Sequence, residues 1–188
     1  FAGINSFALV AVPMFILAGD IMAQGEISKR LVAFADSLFG FVKGGLSVVS
    51  VLAGMFFAAI SGSGAATTAA VGASLVPELR RKGYDPASAA ALIAASGTIG
   101  VVIPPSVPII IYAVIAQESV EKLFLSGFIP GIAMGLGLIA VALVQGHRRA
   151  YPSGTAFSLR TIGRTLLSAS WGLMAPLIIL GGIFSGLF

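Results

Sequence analysis

The sequence has no cysteine, one histidine and few charges. Without cysteine there is no disulfide framework, thiolate nucleophile or cysteine metal site. Charged residues make up 10% of the 188 positions, where a soluble domain carries about 25%. That is too little polar surface to cover a water-soluble globule. Hydrophobic residues, at 57%, exclude intrinsic disorder. The mean hydropathy of +1.04 specifies an integral membrane protein with the lipid bilayer as its solvent. The 24 glycines and 9 prolines agree, since membrane helices accept both more often than soluble ones. The net charge of +4 lies in cations between apolar spans, so it reads as topology signals and not as a nucleic-acid surface. Both Phe1 and Phe188 stand inside apolar stretches, and the chain is expected to be a piece of a longer protein.

Charge is also absent locally. No Asp, Glu, Lys or Arg occurs from Gly44 to Val76 or from Ala87 to Gln117, and both stretches have interrupted helix patterns. Ser61-Gly62-Ser63-Gly64 splits the first into helices expected over Gly44–Ile60 and Ala65–Val76. Two crossings and a turn need more than about 40 residues, so residues 44–79 are expected to form a re-entrant hairpin. In the second, 86–117, Pro86 at a first helical position and Asp85 as N-cap start a helix running to Thr98. Pro104 and Pro105 then remove amide donors and forbid continuous helix, and helix resumes over Ser106–Ala116.

Around these lie a first span from Ile4 to Ala23, ended by Gly25, and an amphipathic helix from Glu26 to Val42. The latter's Ile27, Leu31, Phe34, Leu38 and Phe41 share a face suited to the membrane interface or to a partner. A connector, Glu118–Phe124, leads to a span over 127–145, where Gly131, Gly135 and Gly137 offer close helix contacts. A basic, turn-rich connection from His147 to Arg164 precedes a last span over 166–188. The fold class is an all-α membrane protein, a multi-span helical bundle.

Basic residues favour the cytoplasmic side. If the hairpin returns to its own side and 86–117 crosses once, Lys29, Arg30, Lys43, Arg80, Arg81, Lys82, Arg148, Arg149, Arg160 and Arg164 are inside and only Lys122 is outside. Asp20, the one acid within a span, is expected near the cytoplasmic end, snorkelling, capping, or paired with Lys43 or Arg30.

Irregular backbone at membrane depth leaves amides and carbonyls without helical partners, at several kcal/mol each unless something satisfies them. Many secondary transporters build their sites this way. Hydroxyls accompany both breaks: Ser61, Ser63, Thr67 and Thr68, then Ser96, Thr98 and Ser106. Neutral oxygens suit Na⁺, whereas proton coupling usually needs a carboxylate or histidine. Two other classes compete. A serine hydrolase would use Ser63 as nucleophile but needs a base within reach, and the one histidine, His147, is placed at the cytoplasmic rim. A channel would use Gly97–Pro105 as a filter.

The run Ile60-Ser61-Gly62-Ser63-Gly64-Ala65-Ala66-Thr67, then Gly83-Tyr84-Asp85-Pro86, then Gly97-Thr98-Ile99-Gly100 to Ile103-Pro104-Pro105-Ser106 resembles the large membrane subunit of tripartite ATP-independent periplasmic (TRAP) transporters. Val12-Pro13-Met14-Phe15-Ile16-Leu17-Ala18-Gly19 and Gly127-Phe128-Ile129-Pro130-Gly131 also fit. The resemblance implies the first of two inverted repeats of an elevator-type transporter, multi-pass in the bacterial inner membrane and not an enzyme. It implies Na⁺-driven uptake of a carboxylate, such as a C4-dicarboxylate or a sialic acid, delivered by a periplasmic substrate-binding protein. A small four-helix membrane subunit would complete the complex. Carried over residue by residue, Na⁺ falls to Ser61, Gly62, Ser63, Gly97, Thr98, Val101 and Pro104, and the substrate cavity to Ser63, Gly64, Pro105 and Ser106. The family often has Ser-Ser or Ser-Thr where Ser63-Gly64 stands, so any ligand at Gly64 is backbone. Another Na⁺/carboxylate symporter, working without a binding protein, is the alternative within transport.

Overall fold

A computed structural model describes residues 7–24, 26–154 and 156–185. The expected span start at Ile4, its end at Gly25 and the last span's end at Phe188 fall outside them. Among the described residues eight α-helices follow one another: α1 Phe7–Gln24, α2 Ile27–Phe39, α3 Gly45–Ser61, α4 Gly64–Arg81, α5 Pro86–Thr98, α6 Val107–Ala116, α7 Val120–Arg148 and α8 Leu159–Phe184. A 3₁₀ turn, Ile99–Val101, extends α5. Among the described residues, α7 and α8 are long and apolar enough to cross a membrane.

The two interrupted stretches form helices close to the expected bounds, with α5 matching at both ends. Helix α4 runs past Pro77 to Arg81, further than expected, because Glu78 pairs with Arg81 at 2.7 Å and with Lys82 at 3.8 Å in its last turn. The connector at 118–124 is largely helix. Ser119 accepts the Lys122 amide as N-cap, so α7 begins at Val120. Helix α8 likewise starts seven residues early behind the Ser158 cap, which makes Arg160 and Arg164 helical.

Helices α3 and α4 form a hairpin whose two ends meet one loop. Gly154 N–H donates to the Gly40 carbonyl at 2.7 Å, and Lys43 bridges to Ser153, beside the start of α3. Tyr151 from the same loop stacks on Tyr84, just after α4, with ring centroids 3.9 Å apart. At this foot α7 arrives on α3 backbone to backbone: a Cβ on Gly44 (φ 69°) would lie 2.6 Å from the Gly146 Cα. The core extends upward from there through Leu79, Leu75, Val71, Val49, Phe57, Ile60, Leu31 and Ala35. Between apolar helices in lipid, cohesion comes from close packing more than from dehydration. Gly127, Gly131, Gly135 and Gly146 carry α7's contact rail against Val102, Ile103, Met55 and Gly44, whereas Gly137 faces open space.

Helix α2 is not spread on a membrane surface. Its Leu31 and Ala35 are buried within the bundle, Phe34 stacks on Phe56 of α3, and Ser37 bonds to Thr165 of α8 at 2.9 Å. Helix α1 stops near the top of the hairpin and α2 continues down to the foot. Gly19 therefore lies against Ser61, and Asp20 lines a cavity of about 370 Å³ with Ser61, Ser63 and Ala66. That is the hairpin's far end from Lys43, not the cation-rich end.

The foot gathers the polar groups. Hydrogen bonds from Ser88, backbone then side chain, hold the Asp85 carboxyl below its ordinary value, and Arg149 at 3.6 Å acts in the same direction. This cap's contribution is present above the unfolded carboxylate value, near pH 4, and is lost as pH falls through the lower folded one. Burial pushes the Tyr84 phenol up; Ser47 partly opposes it, but no partner reaches hydrogen-bond geometry with Tyr84 Oη. A buried unpaired hydroxyl costs about 1–3 kcal/mol. Tyr84→Phe is therefore expected to raise the melting temperature of the detergent-purified full-length protein, and a fall would refute that reading. Tyr151→Ala, which removes the stacked ring, should lower it.

Candidate functional site

Both interrupted segments arrive at one place. At the hairpin tip Gly62 N–H bonds to Ala58, the last bond of that ladder, so the carbonyls of Ala59, Ile60 and Ser61 lie past its end. Gly62 turns the chain with φ 59°, and the Ser63 hydroxyl then caps α4 by accepting the Ala66 amide. In the second segment the Val102 and Ile103 amides both fall on the Ile99 carbonyl. A cis Pro104–Pro105 bond follows, and the Ser106 hydroxyl caps α6 by accepting the Ile109 amide. Ser63 and Ser106 have nearly the same backbone, at φ −135°, ψ 124° and φ −133°, ψ 124°. Two helix ends rich in carbonyls and two capped amide ends thus converge.

Direct bonds join them. Val107 N–H donates to the Gly62 carbonyl at 3.0 Å. A Cβ on Gly62 would sit 2.7 Å from the Pro105 oxygen, and one on Gly64 would sit 2.9 Å from the Gly97 oxygen. The glycine at 64 lets the two backbones approach this closely.

Ser61 and Thr67, 1% and 0% exposed, build a closed ring at the tip. Thr67 Oγ1 donates to the Ser63 carbonyl at 2.8 Å. Ser61 Oγ also reaches the Ser63 carbonyl, at 3.2 Å, and the two hydroxyls share a hydrogen bond of 2.9 Å in which either can donate. Ser63 N–H in turn reaches Ser61 Oγ at 3.3 Å. Hard cations take such neutral hydroxyl and carbonyl oxygens.

Ser61, Gly62, Ser63, Gly64, Gly97, Pro105 and Ser106 are thus brought together. Val101 borders them: its carbonyl accepts the Ser106 hydroxyl at 2.6 Å, and its side chain lies beside Gly64. Thr98 turns away, exposed, its hydroxyl on the Ala95 carbonyl of its own helix at 2.7 Å. Pro104 packs toward Gly127 of α7. Thr67 belongs to the cluster more firmly than Thr98, and its place four residues after Ser63, one turn into α4, was the available signal. Among the described residues no group of three or more His, Cys, Asp or Glu gathers anywhere. His147 lies at the foot beside Lys43 and Arg148. The 17-residue α3 puts it about 25 Å from Ser63, out of reach as a base.

The family described as tripartite ATP-independent periplasmic transporter, DctM component, matches residues 1–188. The chain belongs to this family. The isethionate TRAP transporter permease protein DctMQ of Oleidesulfovibrio alaskensis is 43% identical over 188 residues, 100% of this chain and 30% of that protein. The C4-dicarboxylate TRAP transporter large permease protein DctM of Pseudomonas aeruginosa is 41% identical over 182 residues, 97% of this chain and 43% of that protein. The 2,3-diketo-L-gulonate TRAP transporter large permease protein YiaN of Escherichia coli is 45% identical over 186 residues, 99% of this chain and 44% of that protein. This DctM-family chain therefore spans less than half the length of these relatives. They are named as permeases, in keeping with transport and not catalysis.

Proposed function

We propose that the chain is the first half of a TRAP permease that couples inward Na⁺ movement to uptake of an organic anion, carried by an elevator motion. The observation behind this reading is the convergence of the two broken segments, neither of which carries a charged side chain, with Asp20 of α1 bordering the hairpin tip. The carbonyl ends of α3 and α5 and the hydroxyls of Ser61 and Thr67 offer neutral oxygens to Na⁺. The amide ends of α4 and α6, capped by Ser63 and Ser106, favour an anionic substrate group. The substrates in the three relatives' names are all anions. In this reading the α3–α4 hairpin is re-entrant from the cytoplasm, which fits both of its ends meeting the 149–154 loop at the foot, where Lys43, Arg80, Arg81, Lys82, Arg148 and Arg149 gather. A periplasmic binding protein delivers the anion and a four-helix membrane subunit completes the assembly.

The test uses full-length permease with its small subunit in proteoliposomes. Uptake is expected only with an inward Na⁺ gradient and with the binding protein outside. Uptake unchanged when K⁺ replaces Na⁺ would overturn the coupling. Uptake at full rate without the binding protein would instead favour a simple Na⁺/carboxylate symporter.

A further inference from the structure

Helix α8 presents an exposed stripe at alternating steps of four and three: Arg160, Arg164, Leu167, Trp171, Met174 and Ile178. The opposite face, with Ala169 and Gly172 buried, packs on α2. Along the exposed stripe the chemistry changes in one direction. Arg160 and Arg164 stand one turn apart and line a hollow of about 660 Å³ with Thr161 and Leu167. No acid lines that hollow, and among the described residues neither guanidinium is in an ion pair. Beyond it come Leu167, 76% exposed, and Trp171, 81% exposed, then Met174 and Ile178.

We infer that this stripe is a binding site for one anionic phospholipid. Arg160, Arg164 and the Thr161 hydroxyl hold the phosphate, and Leu167, Trp171, Met174 and Ile178 carry an acyl chain. Guanidinium forks match phosphate oxygens in geometry and charge. A second protein would have to supply acids to the arginine pair and an apolar face beyond it, whereas a phospholipid supplies both in one molecule and in this order. The length agrees: 14 residues from Arg164 to Ile178 rise about 21 Å, half of the roughly 40–45 Å bilayer with its head groups. The charged end also lies in the segment that follows the cation-rich foot, where an anionic leaflet would attract it.

The experiment uses the full-length transporter reconstituted in nanodiscs of phosphatidylcholine doped with chain-brominated phosphatidylglycerol. Trp171 emission is isolated as the difference from Trp171→Phe. Quenching is expected to be at least severalfold stronger for brominated phosphatidylglycerol than for equally brominated phosphatidylcholine. Arg160→Gln/Arg164→Gln should abolish that preference, and Arg160→Lys/Arg164→Lys should keep part of it. Native mass spectrometry of the detergent-purified protein should show retained phosphatidylglycerol falling severalfold in the Gln pair, with the complex still monodisperse. Equal quenching by both lipids in the wild type would overturn the site. So would no quenching by either, which would mean that protein covers this face, or lipid retention unchanged in the Gln pair.

Discussion

Gly62→Ala in the full-length transporter should cut uptake at least about tenfold, while Gly83→Ala should leave it within about twofold, a contrast of roughly 1 kcal/mol in free energy. The two glycines share a left-handed backbone, at φ 59° and φ 80°. An added Cβ therefore costs each of them a similar conformational penalty, about 1–2 kcal/mol. Their surroundings differ. Nothing lies within 4 Å of a Cβ on Gly83, but one on Gly62 would lie 2.7 Å from the Pro105 oxygen. That oxygen is backbone, held by the neighbouring bond from Val107 N–H to the Gly62 carbonyl, so it cannot swing aside as a side chain would. Overpacking of this kind typically costs a further 1–3 kcal/mol or so, and the strain falls on the contact joining the two broken segments. Uptake and thermal melting measured on both variants separate the terms. Equal losses would show that conformational strain alone acts at the tip, and no loss in Gly62→Ala would show that the tip and α6 do not touch during transport.

The breaks were legible because their chemistry is local. Gly-Ser-Gly weakens a helix and tandem proline interrupts one from within, and Asp85-Pro86 favours a helix start by its own cap and fixed backbone. What lay beyond the sequence was direction. The 3.6-residue repeat showed that α2 has an apolar face, but not that Leu31 and Ala35 meet the bundle and not the membrane surface. Pairing of Asp20 with Lys43 fails for a related reason: α1 ends by the hairpin tip, where Asp20 adjoins Ser61 and Ser63, and Lys43 lies at the other end of α3. Thr98 follows Gly97 by one residue, which on a helix rotates the side chain by about 100°. Gly97 meets α4, and Thr98 therefore looks outward. Gly131 and Gly135 lie on α7's contact rail, and Gly137, two residues further, lies off it. Segment identity came from composition and spacing; facing came only from packing.

The same distinction sets the second large effect. Ser61→Ala and Thr67→Val should each raise the Na⁺ concentration for half-maximal uptake about tenfold, equivalent to about 1.4 kcal/mol, whereas Thr98→Ala should change it less than about twofold. The reason is the ring through Ser63 N–H, Ser61 Oγ, Thr67 Oγ1 and the Ser63 carbonyl. Removing Ser61 Oγ strands the Ser63 amide and takes away the hydroxyl bonded to Thr67 Oγ1, at a cost of about 1–3 kcal/mol for a buried unpaired group. Either change also deletes one neutral oxygen from those offered to the ion. Val has the shape of Thr without its hydroxyl, so Thr67→Val tests the oxygen and not the volume, and Thr67→Ser should restore most of the affinity. Thr98 keeps its hydroxyl on Ala95 and can contribute to the site only through its backbone, which alanine preserves. If Thr98→Ala shifted the Na⁺ requirement as far as Ser61→Ala, the ion would have to sit on the exposed side of α5, and the convergence of the two breaks would serve substrate or structure instead.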